Sequence, residues 1–554
     1  MLSKREPFEY RISVIPGEVI NCQIKVKRDK KNIGKKINAC IHITYKTDHL
    51  GRGNSTNVVC GDVGTIVLDE NSDNVSVSLV APDFRVVNAV KSVIYITTDS
   101  FDGIYIGKMD VVKTMKANVI IEGDVPWLSN KVGVGIGVGA GTVDVKSIGG
   151  PNVGSIKDLI KAKYQNSGKI DVVCEGLMLG NSGFAKAMRN VTHGLDSIGE
   201  GKINIKSVIL DADNVGCGKT DVGKRIIALS NNHTVSGGNG SIYISMNFPL
   251  GVTYHAGFYN IAYIMFETVD FPSAFVDHVN NIKIDEVWTP SSFCKESMER
   301  AGLKNVKVMP LGVDTNLFNR ETADAPRYIP GNLGGVLEGK FKFLTTMGYS
   351  ERKGVSILIK AFVEEFGLGN EGADVEKVAL YFKGGWYDIN KAKAEISKIT
   401  YAMKNVPYIH LDFNIYPDDV LVSLFKACDC FVLPSRGEGF GLPLCEAMSM
   451  GLPTIGTRWS GNLEFMNDDN SYLINVDEFA EESRCNWVTG YYVGQKFASP
   501  SLEHLKKLMR YVFEHRGEAL EKGKVARSYI VQNFDWKVSC AKMKNRLEEI
   551  ARGE

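Results

Sequence analysis

The 554 residues carry 65 Lys and Arg against 64 Asp and Glu, a formal charge of +1, with 44% hydrophobic and 23% charged side chains. That size suits about three or four domains, and the balance excludes a disordered, collagen-like or membrane-bundle chain. No global field draws the chain to nucleic acid or anionic lipid, so any such attraction must be local.

Eleven cysteines without one CxxC pair argue for free buried thiols rather than a zinc ribbon or redox dithiol. The start, MLSKREPFEYRI, has no apolar signal region, and the most continuous apolar stretch, Val132 to Val143, is broken by alternating glycines. A cytoplasmic protein, peripheral at most to a membrane or assembly, is expected.

Residues 1–115 read as a small β-sandwich of immunoglobulin type, from the β-branched runs RISVI, VINCQIKVK, INACIHITY, NVSVSLVA and SVIYITT between turn clusters. Lys25, Lys27, Arg28, Lys30, Lys31, Lys35 and Lys36 crowd one inferred hairpin. Without interleaved aromatics they read as a solvated turn, the alternative being a hold on phosphate or lipid headgroups. Residues 116–167 receive no assignment, because Gly135, Gly137 and Ala140 only approximate a dinucleotide loop.

From residue 168 the pattern becomes strand–loop–helix. IDVVCEGLML leads into a glycine loop, Gly180 to Gly183, and the helix FAKAMRNVTHGL, and alternation continues to about residue 335. A second α/β unit, residues 336–534, starts at FKFLTTMG and runs through VALYFKGG, IHLDF, CFVLPS and PTIGT. Two such sheets in series bind ligands in a cleft at facing strand ends.

The densest chemistry lies in FVLPSRGEGFGLPLCEAMSMGLPTIGT, from Phe431. A strand ends near Pro434, a loop carries Gly437, Gly439 and Gly441, and a helix starts near Pro443. Loop and helix-start amides make an anion site, while Glu438 and Glu446, expected in a solvated cleft, can accept hydroxyl hydrogen bonds. A ligand combining phosphate and hydroxyls is a nucleotide sugar.

This segment resembles the Glu-x7-Glu region of retaining GT-B glycosyltransferases of family 4, and the likeness covers about residues 168 to 554. It implies a GT-B fold: an acceptor-binding Rossmann-like domain, a donor-binding one, and a final helix, residues 535–554, crossing back to the first. It also implies that Glu438 contacts the donor sugar, that Glu446 contacts the ribose, and that the amides of Gly439, Phe440, Gly441 and Leu442 hold phosphate and sugar. Gly384, closing VALYFKG, joins the donor site. In ERKG, Lys353 matches the lysine that neutralises the diphosphate; Tyr349 replaces the usual arginine, and Arg352 supplies that charge. Gly180, Ser182 and Gly183 resemble the loop where a side chain would block acceptor and diphosphate. Glu267 stands where many members carry histidine and is assigned to the acceptor side.

The implied reaction is hexosyl transfer with retention from a UDP- or GDP-sugar to a hydroxyl of a glycan, lipid or other polymer, with no cofactor and no metal. The N-terminal β domain would serve attachment. Two alternatives remain: a binding or structural protein with a vestigial cleft, and an ATPase using Lys219 in DNVGCGKT, whose first loop glycine is replaced by Asp213. Asp211 and Asp213 also form a DxD pair, read as a solvated loop rather than a metal site.

Overall fold

A computed structural model of the chain describes seven strands within the first 115 residues. It then describes residues 155–554 apart from 212–216, 233–234, 236–239, 322–336, 368–373, 386–388, 402–404, 482–491 and 493. The chain divides into one unit of Met1–Val153 with Leu250–His255 and another of Gly154–Pro249 with Ala256–Glu554.

The first unit holds β1 (Phe8–Val14), β2 (Glu18–Arg28), β3 (Lys36–Lys46), β4 (Thr56–Val67), β5 (Asn74–Val80), β6 (Ala89–Thr98) and β7 (Ile104–Met115). They form two antiparallel sheets, β1-β6-β3-β4 and β5-β2-β7. This order differs from an immunoglobulin constant domain, whose first two strands share a sheet. β2 and β3 fall in different sheets, so the basic cluster from Lys25 to Lys36 spans a sheet-to-sheet connection and not a hairpin. Strand pairing here is not decided by adjacency in sequence.

The second unit opens with α1 (Ile156–Ser167), inside the stretch left without assignment. Ser155 caps it: its hydroxyl accepts from the Asp158 amide while Asp158 accepts from the Ser155 amide. There follow β8 (Ile170–Gly176), α2 (Gly183–Ile198), β9 (Ile203–Ile209), α3 (Asp221–Ser230), β10 (Ser241–Met246), β11 (Phe258–Tyr263), α4 (Ser273–Asn281), β12 (Glu286–Thr289), α5 (Ser292–Arg300) and β13 (Val306–Val308). Their six strands form one parallel sheet in the order β13-β12-β11-β10-β8-β9. α2 buries Met188, Val191, Thr192 and Leu195, one stripe at helical spacing.

A second parallel sheet is built by β14 (Phe341–Met347), α6 (Val355–Gly367), β15 (Val378–Gly384), α7 (Ile389–Thr400), β16 (Tyr408–Asp412), α8 (Asp418–Ala427), β17 (Cys430–Leu433), α9 (Leu442–Ser449), β18 (Thr454–Thr457) and β19 (Tyr472–Ile474). β20 (Val476–Glu481) and β21 (Lys496–Pro500) pair separately, and α10 (Leu502–Glu514), α11 (Arg516–Asn533) and α12 (Trp536–Arg552) end the chain. The sheet order is β16-β15-β14-β17-β18-β19. Strand order therefore reverses between β14 and β17, and ligands bind outside strand ends at such a switch point. Both strands are almost wholly buried, as central parallel strands require.

α12 packs against α2, where a Cβ at Gly194 would lie 2.3 Å from Cys540 Sγ, and Arg546 makes an ion pair of 2.8 Å with Glu286 of β12. Cys174, Cys217, Cys294, Cys428, Cys430, Cys445 and Cys540 are free thiols. No described helix is long and apolar enough to cross a membrane.

Candidate active site

Two loops meet at the switch point. β14 runs into a single 3-10 turn, Glu351–Lys353, closed by Gly354 at φ 77°. A Cβ there would sit 2.0 Å from the Pro434 carbonyl oxygen, so only glycine lets this turn press on the loop after β17. The Arg352 carbonyl accepts from the Arg436 amide at 2.7 Å and the Ser435 hydroxyl at 3.1 Å, clasping the loops together.

The clasp brings four of the sequence-derived residues together. Lys353 Nζ donates to both Glu438 oxygens, at 2.6 and 2.8 Å. Arg352 donates to the Gly437 carbonyl at 2.8 Å and pairs with Glu267 at 3.2 Å, with Glu438 at 4.0 Å. Tyr492 donates its hydroxyl to the other Glu267 oxygen at 3.0 Å. Burial works against the Glu438 charge, but Lys353 and Arg352 outweigh it and hold the carboxyl below its ordinary range. Burial, with Arg352 alongside, lowers Lys353 despite Glu438.

The loop beyond Glu438 is held from behind. Its amide donates to Ser460 Oγ at 2.9 Å, its carbonyl accepts from the Gly461 amide at 2.8 Å, and the Gly439 carbonyl accepts from Ser291 Oγ of the first sheet's domain at 2.8 Å. Gly441, at φ 100°, starts α9 without a side-chain cap. Among the described residues, the amides of Gly439, Phe440, Gly441 and Leu442 donate to no protein acceptor. Four open amides at a helix N-terminus fit an anion. The Phe440 side chain is buried against Phe465 and Phe534, so this residue offers only its backbone.

Glu446, on α9, lies in a second cluster. Its Oε1 accepts from Lys186 Nζ at 2.6 Å, and the same ammonium reaches Asp418 of α8 at 2.9 Å. Lys186 belongs to α2, so this contact puts the Gly180–Gly183 loop beside α9. Burial lowers the Lys186 ammonium, but Glu446 and Asp418 outweigh it and raise it; burial is also what raises the Glu446 carboxyl. Glu438 and Glu446 are only 5% and 6% exposed, which corrects the expectation of a solvated cleft. Ion partners from other elements cover both.

Asp211 accepts from the amides of Met178, Leu179 and Gly180 at 2.5–3.1 Å, while Arg189 donates to the carbonyls of Met178 and Gly180. Asp211 thus shapes the loop after β8 rather than pointing into solvent. Asp213 lies outside the described residues. Ser182 caps α2, its hydroxyl accepting from the Ala185 amide at 3.1 Å; Gly183 has no atom within 4 Å of a would-be Cβ. Gly384 ends β15, where a Cβ would meet the Phe413 ring at 2.2 Å, so packing alone accounts for that glycine. No group of three or more His, Cys, Asp or Glu suited to a metal occurs among the described residues.

Lys186, Asp418, Tyr492 and Ser460 were not singled out from sequence, and Asp211 was read there only as half of a solvated DxD pair. No local motif marks the first four, because each meets its partner only through the fold.

Residues 339–484 match the family model of glycosyl transferases group 1. That stretch is thus similar to a glycosyltransferase group 1 domain. The chain is 23% identical over 233 residues to glycosyltransferase 335 of Sulfolobus islandicus rod-shaped virus 1, covering 38% of this chain and 65% of that one. It is 29% identical over 176 residues to the D-inositol 3-phosphate glycosyltransferase of Arthrobacter sp. (strain FB24), covering 31% and 39%. The chain thus spans less than two thirds of either relative. Among solved structures, sucrose-phosphate synthase from Thermosynechococcus elongatus aligns with a TM-score of 0.50 at 12% identity, over 70% of this chain and all of that one. The chain from α1 onward therefore has a GT-B fold, two Rossmann-like domains in tandem, and the matched stretch lies in the second of them.

Proposed function

We propose that the chain is a retaining glycosyltransferase that moves a hexosyl group from a nucleoside diphosphate sugar, UDP or GDP, to a hydroxyl of a glycan, lipid or other polymer. The observation that carries this reading is the set of four open amides, Gly439 to Leu442, next to the Lys353–Glu438 pair at the switch point between β14 and β17. The amides and the two cations suit a diphosphate; Glu438 and Glu446 suit hydroxyls on either side of it.

In the proposed reaction the bond from the anomeric carbon to the leaving phosphate oxygen breaks. The acceptor oxygen bonds on the same face, and its proton passes to the leaving phosphate. Lys353, Arg352 and the amides offset the charge that grows on the diphosphate, so this reading needs no divalent metal. Lys353 engages both oxygens of Glu438, which suits a carboxylate that positions hydroxyls and disfavours one that attacks carbon. Glu267, held by Arg352 and Tyr492, is assigned to the acceptor side, and the N-terminal β domain to locating the acceptor. Nucleoside diphosphate release from a panel of nucleotide sugars, with and without acceptor, tests the reading; no release from any of them would refute it.

A further inference from the structure

Lys186 has no place in the reaction as written, yet it is the one cation facing Glu446 among the described residues. It rises from the first turn of α2, crosses to the other Rossmann-like domain, and lies over the Phe318 ring at 5.1 Å. An ammonium has three donors; Glu446 Oε1 and Asp418 Oδ1 take two of them. Glu446 Oε2 has no protein partner among the described residues. One oxygen of this carboxylate is pinned and the other is left open.

We propose, resting on the donor reading above, that Lys186 is a positioning residue: it pins one Glu446 oxygen so that the other faces the donor ribose hydroxyls, making the grip on the nucleotide depend on both domains. The charged groups facing Glu446 are Lys186 from α2 and Asp418 from α8. On its own helix the neighbouring Cys445 thiol stays neutral, pushed well above its ordinary range by burial and by Glu446. Burial and Asp418 both favour the protonated acid, and Lys186 alone opposes them. Without Lys186 the carboxyl holds its proton to higher pH and loses both its charge and its orientation.

The test is titration of UDP and GDP into wild type, Lys186→Met, Lys186→Arg and Glu446→Gln at about pH 8 and about pH 6, with melting temperatures alongside. Lys186→Met weakens nucleotide binding about tenfold or more, as expected for losing a charged hydrogen bond. The loss relative to wild type grows toward the lower pH. Phosphate ionisation of the nucleotide is common to both proteins and cancels in the ratio. Lys186→Arg recovers most of the affinity, and Glu446→Gln binds weakly at both pH values. Should the Met variant not fold, Lys186→Gln takes its place. Equal affinity of wild type and the Lys186 variant at both pH values, with only a lowered melting temperature, would overturn the proposal. So would tighter binding, which would mark Lys186 as an obstruction. If wild type itself binds neither UDP nor GDP, the donor reading fails and this inference with it.

Discussion

Gly461→Ala perturbs the site through one added carbon. Its Cβ would lie 2.1 Å from the Gly439 carbonyl oxygen, 2.4 Å from the Gly439 carbonyl carbon and 2.7 Å from the Glu438 oxygen. All three are backbone atoms, so no side chain can rotate aside. Since a Cβ is essentially never closer than 3.0 Å, the gap to the Gly439 oxygen must open by about 0.9 Å, and we expect the Gly439 end of the loop to give way. The retreat loosens the Ser291 bond to that oxygen and moves both the Lys353 partner and the first open amide. A displacement near 1 Å in a positioned site costs about 10²-fold in rate, and overpacking costs roughly 1–3 kcal/mol of stability. The assay is nucleoside diphosphate release under saturating donor, with melting temperature measured in parallel. Gly183→Ala is the control for stability, because its Cβ meets no atom within 4 Å and should leave melting unchanged. A folded Gly461→Ala protein turning over within about threefold of wild type would refute the claim that this loop positions the donor.

Glu438→Gln strands the Lys353 ammonium in a buried site and should cost about 3–5 kcal/mol at neutral pH. Because the folded carboxyl titrates below its ordinary 4.5, the melting difference from wild type persists above that pH and shrinks only as pH falls through the lowered value; a difference already vanishing near neutrality would contradict the pairing. Glu267→Gln should reduce turnover more than donor affinity, and unchanged turnover with lowered melting temperature would make the residue structural. Transfer should persist in EDTA, whereas complete inhibition reversed by manganese would favour metal-assisted chemistry.

What could be read from the sequence was whatever is continuous in it. The Glu-x7-Glu segment, its glycines and Pro443 sit on one strand–loop–helix run, so the alignment of Glu438, the open amides and Glu446 follows from local geometry. The partners were not legible. Lys186 and Glu446 are 260 positions apart, and their meeting depends on how two independently formed sheets approach each other. The same holds for Ser291 against Gly439 and Tyr492 against Glu267. α1 is a different kind of miss: its Ser155–Asp158 cap is a local signal, obscured by the glycine-rich stretch before it. The basic cluster failed for a third reason, since proximity of β2 and β3 in sequence does not decide which sheet each joins.

The two ion clusters also constrain where the phosphates of a proposed donor can lie. Glu438 and Glu267 are matched by Lys353 and Arg352, two acids to two bases. Glu446 and Asp418 share Lys186 alone, so that cluster keeps one uncompensated negative charge. A diphosphate set against it would be repelled within a region of low dielectric, where such repulsion is strong. An uncharged, hydroxyl-bearing ribose meets no such penalty and supplies the hydrogens that the open Glu446 oxygen can accept. The open amides fall between Glu438 and Glu446 along the chain, so the phosphates take the middle. Charge therefore keeps the phosphates on the open amides and off the Glu446–Asp418 cluster, whichever uncharged end, ribose or transferred sugar, meets each carboxylate.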